Sequence, residues 1–191
     1  MTDERARLFV ALELPGDVRG ALWVWAREHV GAMPRLRVVD PDSLHVTLCF
    51  LGARPAGEVQ AIAAACREAV SGLPAASLTV GDTLWLPPRR PRVLTVQLGD
   101  EGGRLAAVQG ALAGALADGG FYEPEPRRFL AHVTVARADT DPAHPRGRPR
   151  RDEIPAPTPA RFTGERATLY RSRLGRGPAR YEALASVTLS G

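Results

Sequence analysis

"SLHVTLCF", residues 43–50, sets His45 and Thr47 among Val46, Leu48 and Phe50, and "AHVTVA", residues 131–136, repeats the arrangement with His132 and Thr134. Side chains of a strand point to opposite faces with a period of two. Val46, Leu48 and Phe50 are therefore expected on one face and His45, Thr47 and Cys49 on the other. In the second stretch Val133 and Val135 are expected to face a core, with His132, Thr134 and Ala136 opposite. One such strand is ordinarily a satisfied core or edge histidine. With 4 His among 191 residues and 45% hydrophobic positions, the pattern His-apolar-Thr-apolar should arise by chance only about 0.05 times. Two copies are read as one site.

Working outward, "RLFVALEL" (7–14) alternates as a strand and "PGDVRGALWVWAREHV" (15–30) runs apolar at helical spacing behind Pro15. After the first histidine strand come an Ala-rich helix, "AGEVQAIAAACREAV" (56–70), and a strand with a Gly break, "SLTVGDTLWL" (77–86). The plan then restarts. "RVLTVQL" (92–98) reads as a strand, "GRLAAVQGALAGALADGG" (103–120) as a helix ending on glycine, and "FLAHVTVAR" (129–137) as the second histidine strand. Two strands close the chain, "ERATLYRSRL" (165–174) and "RYEALASVTL" (180–189). The stretch before them, "DTDPAHPRGRPRRDEIPAPTP" (139–159), is too rich in Pro and Arg for a helix and reads as a mobile basic loop. An internal duplication of about 7–88 and 92–190 follows, within a single bilobal domain spanning 1–191. Matching strands would turn one face to a shared cleft, with helices over the apolar outer faces.

Composition narrows the function classes. A chain of this length and hydrophobic content can bury its own core without disulfides or metal. Cys49 and Cys66 match no zinc or redox spacing, so reduced thiols in a cytoplasmic protein are expected. No segment reads as a signal peptide or membrane span. The net charge of +4 comes from 25 basic residues, every one an arginine. Such a surface favours polyanions, and the guanidinium matches phosphate bidentately.

Histidine accepts and donates protons near neutrality. In-line displacement at phosphorus needs a base on one side and an acid on the other, and a threonine hydroxyl can donate to a non-bridging oxygen as charge gathers there. The residues alone leave open which histidine is which. Two histidines with no carboxylate on their face fall short of a catalytic zinc site, so neither metal nor cofactor is expected. Cys49, on the expected face of His45, offers a nucleophile in principle, although a buried structural cysteine is commoner. His29 and His144 are not assigned to the site.

The paired "HVTL" and "HVTV", the opening "RLFVALELP", the "FLG" after the first motif, the "AR" after the second and the late "LYRSRL" resemble the two-histidine phosphoesterases. Among these the chain is most similar to the RNA 2′,3′-cyclic phosphodiesterase group, also called the 2′-5′ RNA ligase or ThpR group. The resemblance implies an α+β bilobal fold with antiparallel sheets around a central cleft. It implies metal-independent hydrolysis of RNA 2′,3′-cyclic phosphate ends to 2′-phosphates, with ligation to a 2′-5′ bond or action on small cyclic nucleotides as alternatives. By motif, His45 would be the proton donor to the leaving 3′ oxygen, His132 the proton acceptor from water, and Thr47 and Thr134 the hydroxyls holding the phosphate. Arg137 matches an arginine near the phosphate, but its parity on a straight strand is wrong and it reaches the cleft only through a bulge or strand end near Ala136. The implied partner is an RNA with a cyclic phosphate end, such as a tRNA fragment, with no membrane and a monomeric enzyme. From a different class, an RNA or nucleotide binding module without catalysis would keep the fold and not the chemistry.

Overall fold

A computed structural model describes residues 4–34, 36–89, 91–138, 154–173 and 179–190. Among these residues, nine strands and three α-helices form from the segments that alternation and helical spacing mark out, with two additions. β1 (Arg5–Glu13) leads into α1 (Gly16–Val30), and β3 (His45–Pro55) into α2 (Val59–Val70) and β4 (Ala76–Leu86). β5 (Val93–Asp100), α3 (Arg104–Asp118) and β6 (His132–Ala138) repeat the plan, and β8 (Arg166–Arg173) and β9 (Arg180–Thr188) close it. The additions are β2 (Leu36–Val38) and β7 (Arg161–Gly164), both too short to show a period. Most of the expected basic loop, with His144, lies outside the described residues. Residues 154–160 contain neither helix nor strand.

The strands form one sheet in the order β7-β4-β5-β6-β3-β1-β8-β9, with β2 on β6, and every ladder between them is antiparallel. The join at its middle is slight, since β3 and β6 pair only through Val46 and Val133. On either side of that pair the order is mirrored. β3, β1 and β8 run outward one way as β6, β5 and β4 run the other. Each repeat thus keeps its first two long strands adjacent and places its third, β4 or β8, against the first strand of the other repeat. The crossover helices are exchanged too, α1 packing on β6 and α3 on β3.

One apolar core runs through both groups, with Leu8, Val10 and Leu12 of β1, Val46 of β3, Leu94 and Val96 of β5 and Val133 of β6 all buried. α3 is anchored at its start by Asp100, whose carboxylate accepts from the backbone N–H groups of Leu105 (3.0 Å) and Ala106 (2.9 Å), satisfying donors that a helix N-terminus leaves open. The Gly break of β4 is a bulge. Register slips between Val80 and Thr83, and a Cβ on Gly81 would lie 3.2 Å from the Gln97 carbonyl oxygen. Among the described residues no helix is long and apolar enough to cross a membrane.

Candidate active site

Val46 opposite Val133 fixes the site. Continuing that antiparallel register by one residue each way would set His45 across from Thr134 and Thr47 across from His132, on the face away from the core valines; of the four, His45 and Thr47 line the cleft, and His132 and Thr134 are not among its lining residues. The two histidines are held alike. His45 Nδ1–H donates to the Ser43 carbonyl at 2.8 Å, and His132 Nδ1–H donates to the Leu130 carbonyl at 2.7 Å. A carbonyl can only accept, so both rings carry their neutral proton on Nδ1 and present Nε2 for chemistry. His45 Nε2 lies 3.1 Å from the Thr47 hydroxyl.

The two strands bulge at the same step. Val10 faces Cys49 but Ala11 faces Thr47, so Leu48 is the extra residue in β3. Leu94 faces Ala136 but Thr95 faces Thr134, so Val135 is the extra residue in β6. A bulge flips the parity of everything beyond it. Leu48 and Cys49 are both buried, as are Val135 and Ala136, and the side chains that reach the cleft next are Phe50 and Arg137. Arg137 therefore lines the cleft with His45 and Thr47, through the bulge its parity required. Straight alternation misplaces Phe50 and Cys49. Phe50 is 44% exposed on the cleft side while Cys49 joins the core. A second register slip of β3, between Leu8 and Phe9, makes Leu51 the extra residue, next to Gly52, whose φ of 71° is the left-handed conformation that favours glycine.

Burial pushes the Cys49 thiol up to about 12, with Cys66 adding to the rise. A protonated thiol in the core cannot serve as nucleophile to the cleft. His45 is shifted the other way. Its ring packs 5.0 Å from Phe9 and edge-on at 5.3 Å to Tyr181, and this burial, with the charges of Arg137 and His132 behind it, lowers its pKa to about 4 against the opposing bond to Ser43. The His45 ring is neutral at pH 7 in the open cleft.

The cleft has a volume of about 690 Å³. Arg7, Arg27, Arg37 and Arg137 line it against one carboxylate, Asp40. Arg7 sits 4.7 Å over the Phe50 ring and Arg27 5.5 Å over Trp23. Sequence patterning missed these residues because Phe50 is expected on the face of Val46 and Leu48, helical spacing alone singles out neither Trp23 nor Arg27 in α1, and Arg37 falls in a strand of three residues. The only signal was the all-arginine composition. Residues 27–176 match the model of the 2'-5' RNA ligase superfamily. The chain belongs to that superfamily.

Within the 2'-5' RNA ligase superfamily the chain is 29% identical over 185 residues to the RNA 2',3'-cyclic phosphodiesterase of Escherichia coli, covering 95% of each. It is similar in structure to E. coli LigT complexed with 3'-AMP (TM-score 0.79, 27% identity, 98% of this chain and 100% of that one). A Thermus thermophilus protein gives a TM-score of 0.78 at 27% identity, over 97% of this chain and 98% of that one. These matches bear out the expected α+β phosphoesterase fold. Among the described residues, no group of three or more His, Cys, Asp and Glu side chains could hold a metal ion. His29 lies on α1 beside Trp25 and is not among the residues that line the cleft.

Proposed function

We propose that this protein hydrolyses RNA 2′,3′-cyclic phosphate ends to 2′-phosphomonoesters by acid and base catalysis from two histidines without a metal. The observation that carries this is the pair of matched histidines, each with Nδ1 tied to a carbonyl two residues back, so that Nε2 is the nitrogen able to exchange a proton, that of His45 beside the Thr47 hydroxyl. The full-length similarity to an RNA 2',3'-cyclic phosphodiesterase supports the substrate.

In the reaction His132 Nε2 takes a proton from water as the water oxygen bonds to phosphorus. The bond from phosphorus to the 3′ oxygen breaks, and His45 Nε2 gives that oxygen its proton. Because His45 is neutral in the open cleft, it takes up its proton when the anionic phosphate enters and raises its pKa. Thr47 and Thr134 donate to the non-bridging oxygens, and Arg137 balances the charge gathered there. A second reading rests on the family's description: a 5′-hydroxyl in the place of water would join two ends through a 2′-5′ bond by the same proton transfers. We take the enzyme to act as a monomer on RNA ends such as those of tRNA fragments. The free, buried Cys49 and Cys66 suit a reducing cytoplasm.

The test is to incubate the purified protein, in excess EDTA, with an RNA ending in a 2′,3′-cyclic phosphate and to locate the product's phosphate. A 2′-phosphate is expected. A 3′-phosphate, or activity abolished by EDTA and restored by a divalent ion, would overturn the mechanism.

A further inference from the structure

Arg37 of β2 stands directly opposite Arg137 of β6, and both side chains line the cleft. Like charges opposite each other across a ladder repel. Among the described residues neither has a carboxylate partner, and the one acidic side chain in the cleft lining, Asp40, accepts from the backbone N–H of Asp42 at 3.0 Å. An unneutralised cationic pair of this kind is complementary to anions, and more positive charge lies nearby. β2 pairs with β6 and contacts α1, the helix that carries Arg27 and Trp23, and all four side chains line the same cleft. Arg137 is the guanidinium beside His45. That leaves Arg37 and Arg27, together with Arg7 over Phe50, for negative charge that a single reacting phosphate does not supply.

Aromatic surface supports the same count. Phe50 under Arg7 and Trp23 under Arg27 are two cation-capped rings in the cleft lining, one on β3 and one on α1, and bases stack on such faces without sequence preference. The cleft volume of about 690 Å³ lies in the upper part of the range of about 300–1,000 Å³ typical of ligand sites.

We propose that Arg37, with the Trp23–Arg27 pair beyond it, forms a second subsite that takes the internucleotide phosphate and the neighbouring base, so that the substrate is an oligonucleotide end in preference to a 2′,3′-cyclic mononucleotide. This rests on the function proposed above and deepens it. Arg37 supplies charge to a phosphodiester one step from the reacting centre, Trp23 supplies a stacking face, and neither takes part in proton transfer.

The test compares kcat/KM for cytidine 2′,3′-cyclic phosphate and for a pentanucleotide ending in the same group. The protein should favour the pentanucleotide at least about tenfold, since stacking and one phosphate contact each contribute on that scale. Arg37→Gln and Trp23→Ala should each cut this ratio about tenfold, and Arg37→Gln should lower the salt slope of pentanucleotide kcat/KM by about 0.7, the share of one single-strand phosphate. Arg67→Gln, on the exposed side of α2, is the control for a general loss of charge. A ratio near one before mutation, or one unmoved by both variants, overturns the subsite. Anisotropy of a labelled pentanucleotide ending in a 2′-phosphate reads the same site without catalysis. Weaker binding in Arg37→Gln with no hydrolysis in any protein would uphold the subsite while defeating the proposed reaction, and unchanged binding would defeat the subsite itself.

Discussion

Replacing His45 by Gln should flatten the acid limb of the protein's stability, and the size of the effect follows from the cage around the ring. Phe9 and Tyr181 bury the imidazole and lower its pKa from 6.5 to about 4. Between those values the unfolded chain binds a proton at this position and the folded chain does not, so falling pH favours unfolding. The contribution is fully present above pH 6.5 and lost as pH falls through the window to 4. One pKa unit corresponds to about 1.4 kcal/mol, so the full shift corresponds to about 3.4 kcal/mol. At pH 4.5 most of that is already lost, and the ring's partial access to the cleft reduces the measurable part to about 2 kcal/mol. Urea denaturation of wild type and His45→Gln at pH 7.5 and 4.5 reads the effect as a difference of differences, in which the other histidines cancel. Wild type should lose about 2 kcal/mol more than the variant on going to the lower pH. Equal losses would mean that the ring titrates normally, and the neutral resting state assigned to His45 would be wrong.

His45→Ala and His132→Ala should each lower kcat/KM at least about a hundredfold in a cyclic-phosphate hydrolysis assay, with the double mutant losing less than the product of the two; a loss below about tenfold for either would break the two-sided mechanism. Thr47→Val and Thr134→Val should each reduce kcat by about tenfold or more with little change in melting temperature, because a near-isosteric side chain loses only the donor to phosphate, and unchanged rates in both would send those hydroxyls elsewhere. Cys49→Ala should lower stability by about 1–2 kcal/mol through the cavity it leaves while kcat stays within a few fold, whereas abolished turnover in a folded variant would restore the thiol as a nucleophile.

Alternation within "HVTLCF" and "HVTVAR" was enough to put His45 with Thr47 and His132 with Thr134, because the period of two belongs to a single extended strand. Helical spacing likewise marked α1, α2 and α3. The sequence could not reveal the bulges at Leu48 and Val135. A bulge is a mismatch between two paired strands, visible only against β1 and β5, and it sent Phe50 and Arg137 into the cleft and Cys49 into the core. The exchange of β4 and β8 between the repeats is hidden for the same reason, since each strand's own pattern is satisfied whichever neighbour it pairs with. The low pKa of His45 is likewise a tertiary property. A ring at the start of "HVTL" titrates normally in water, and it is Phe9 from β1 and Tyr181 from β9 that take the water away.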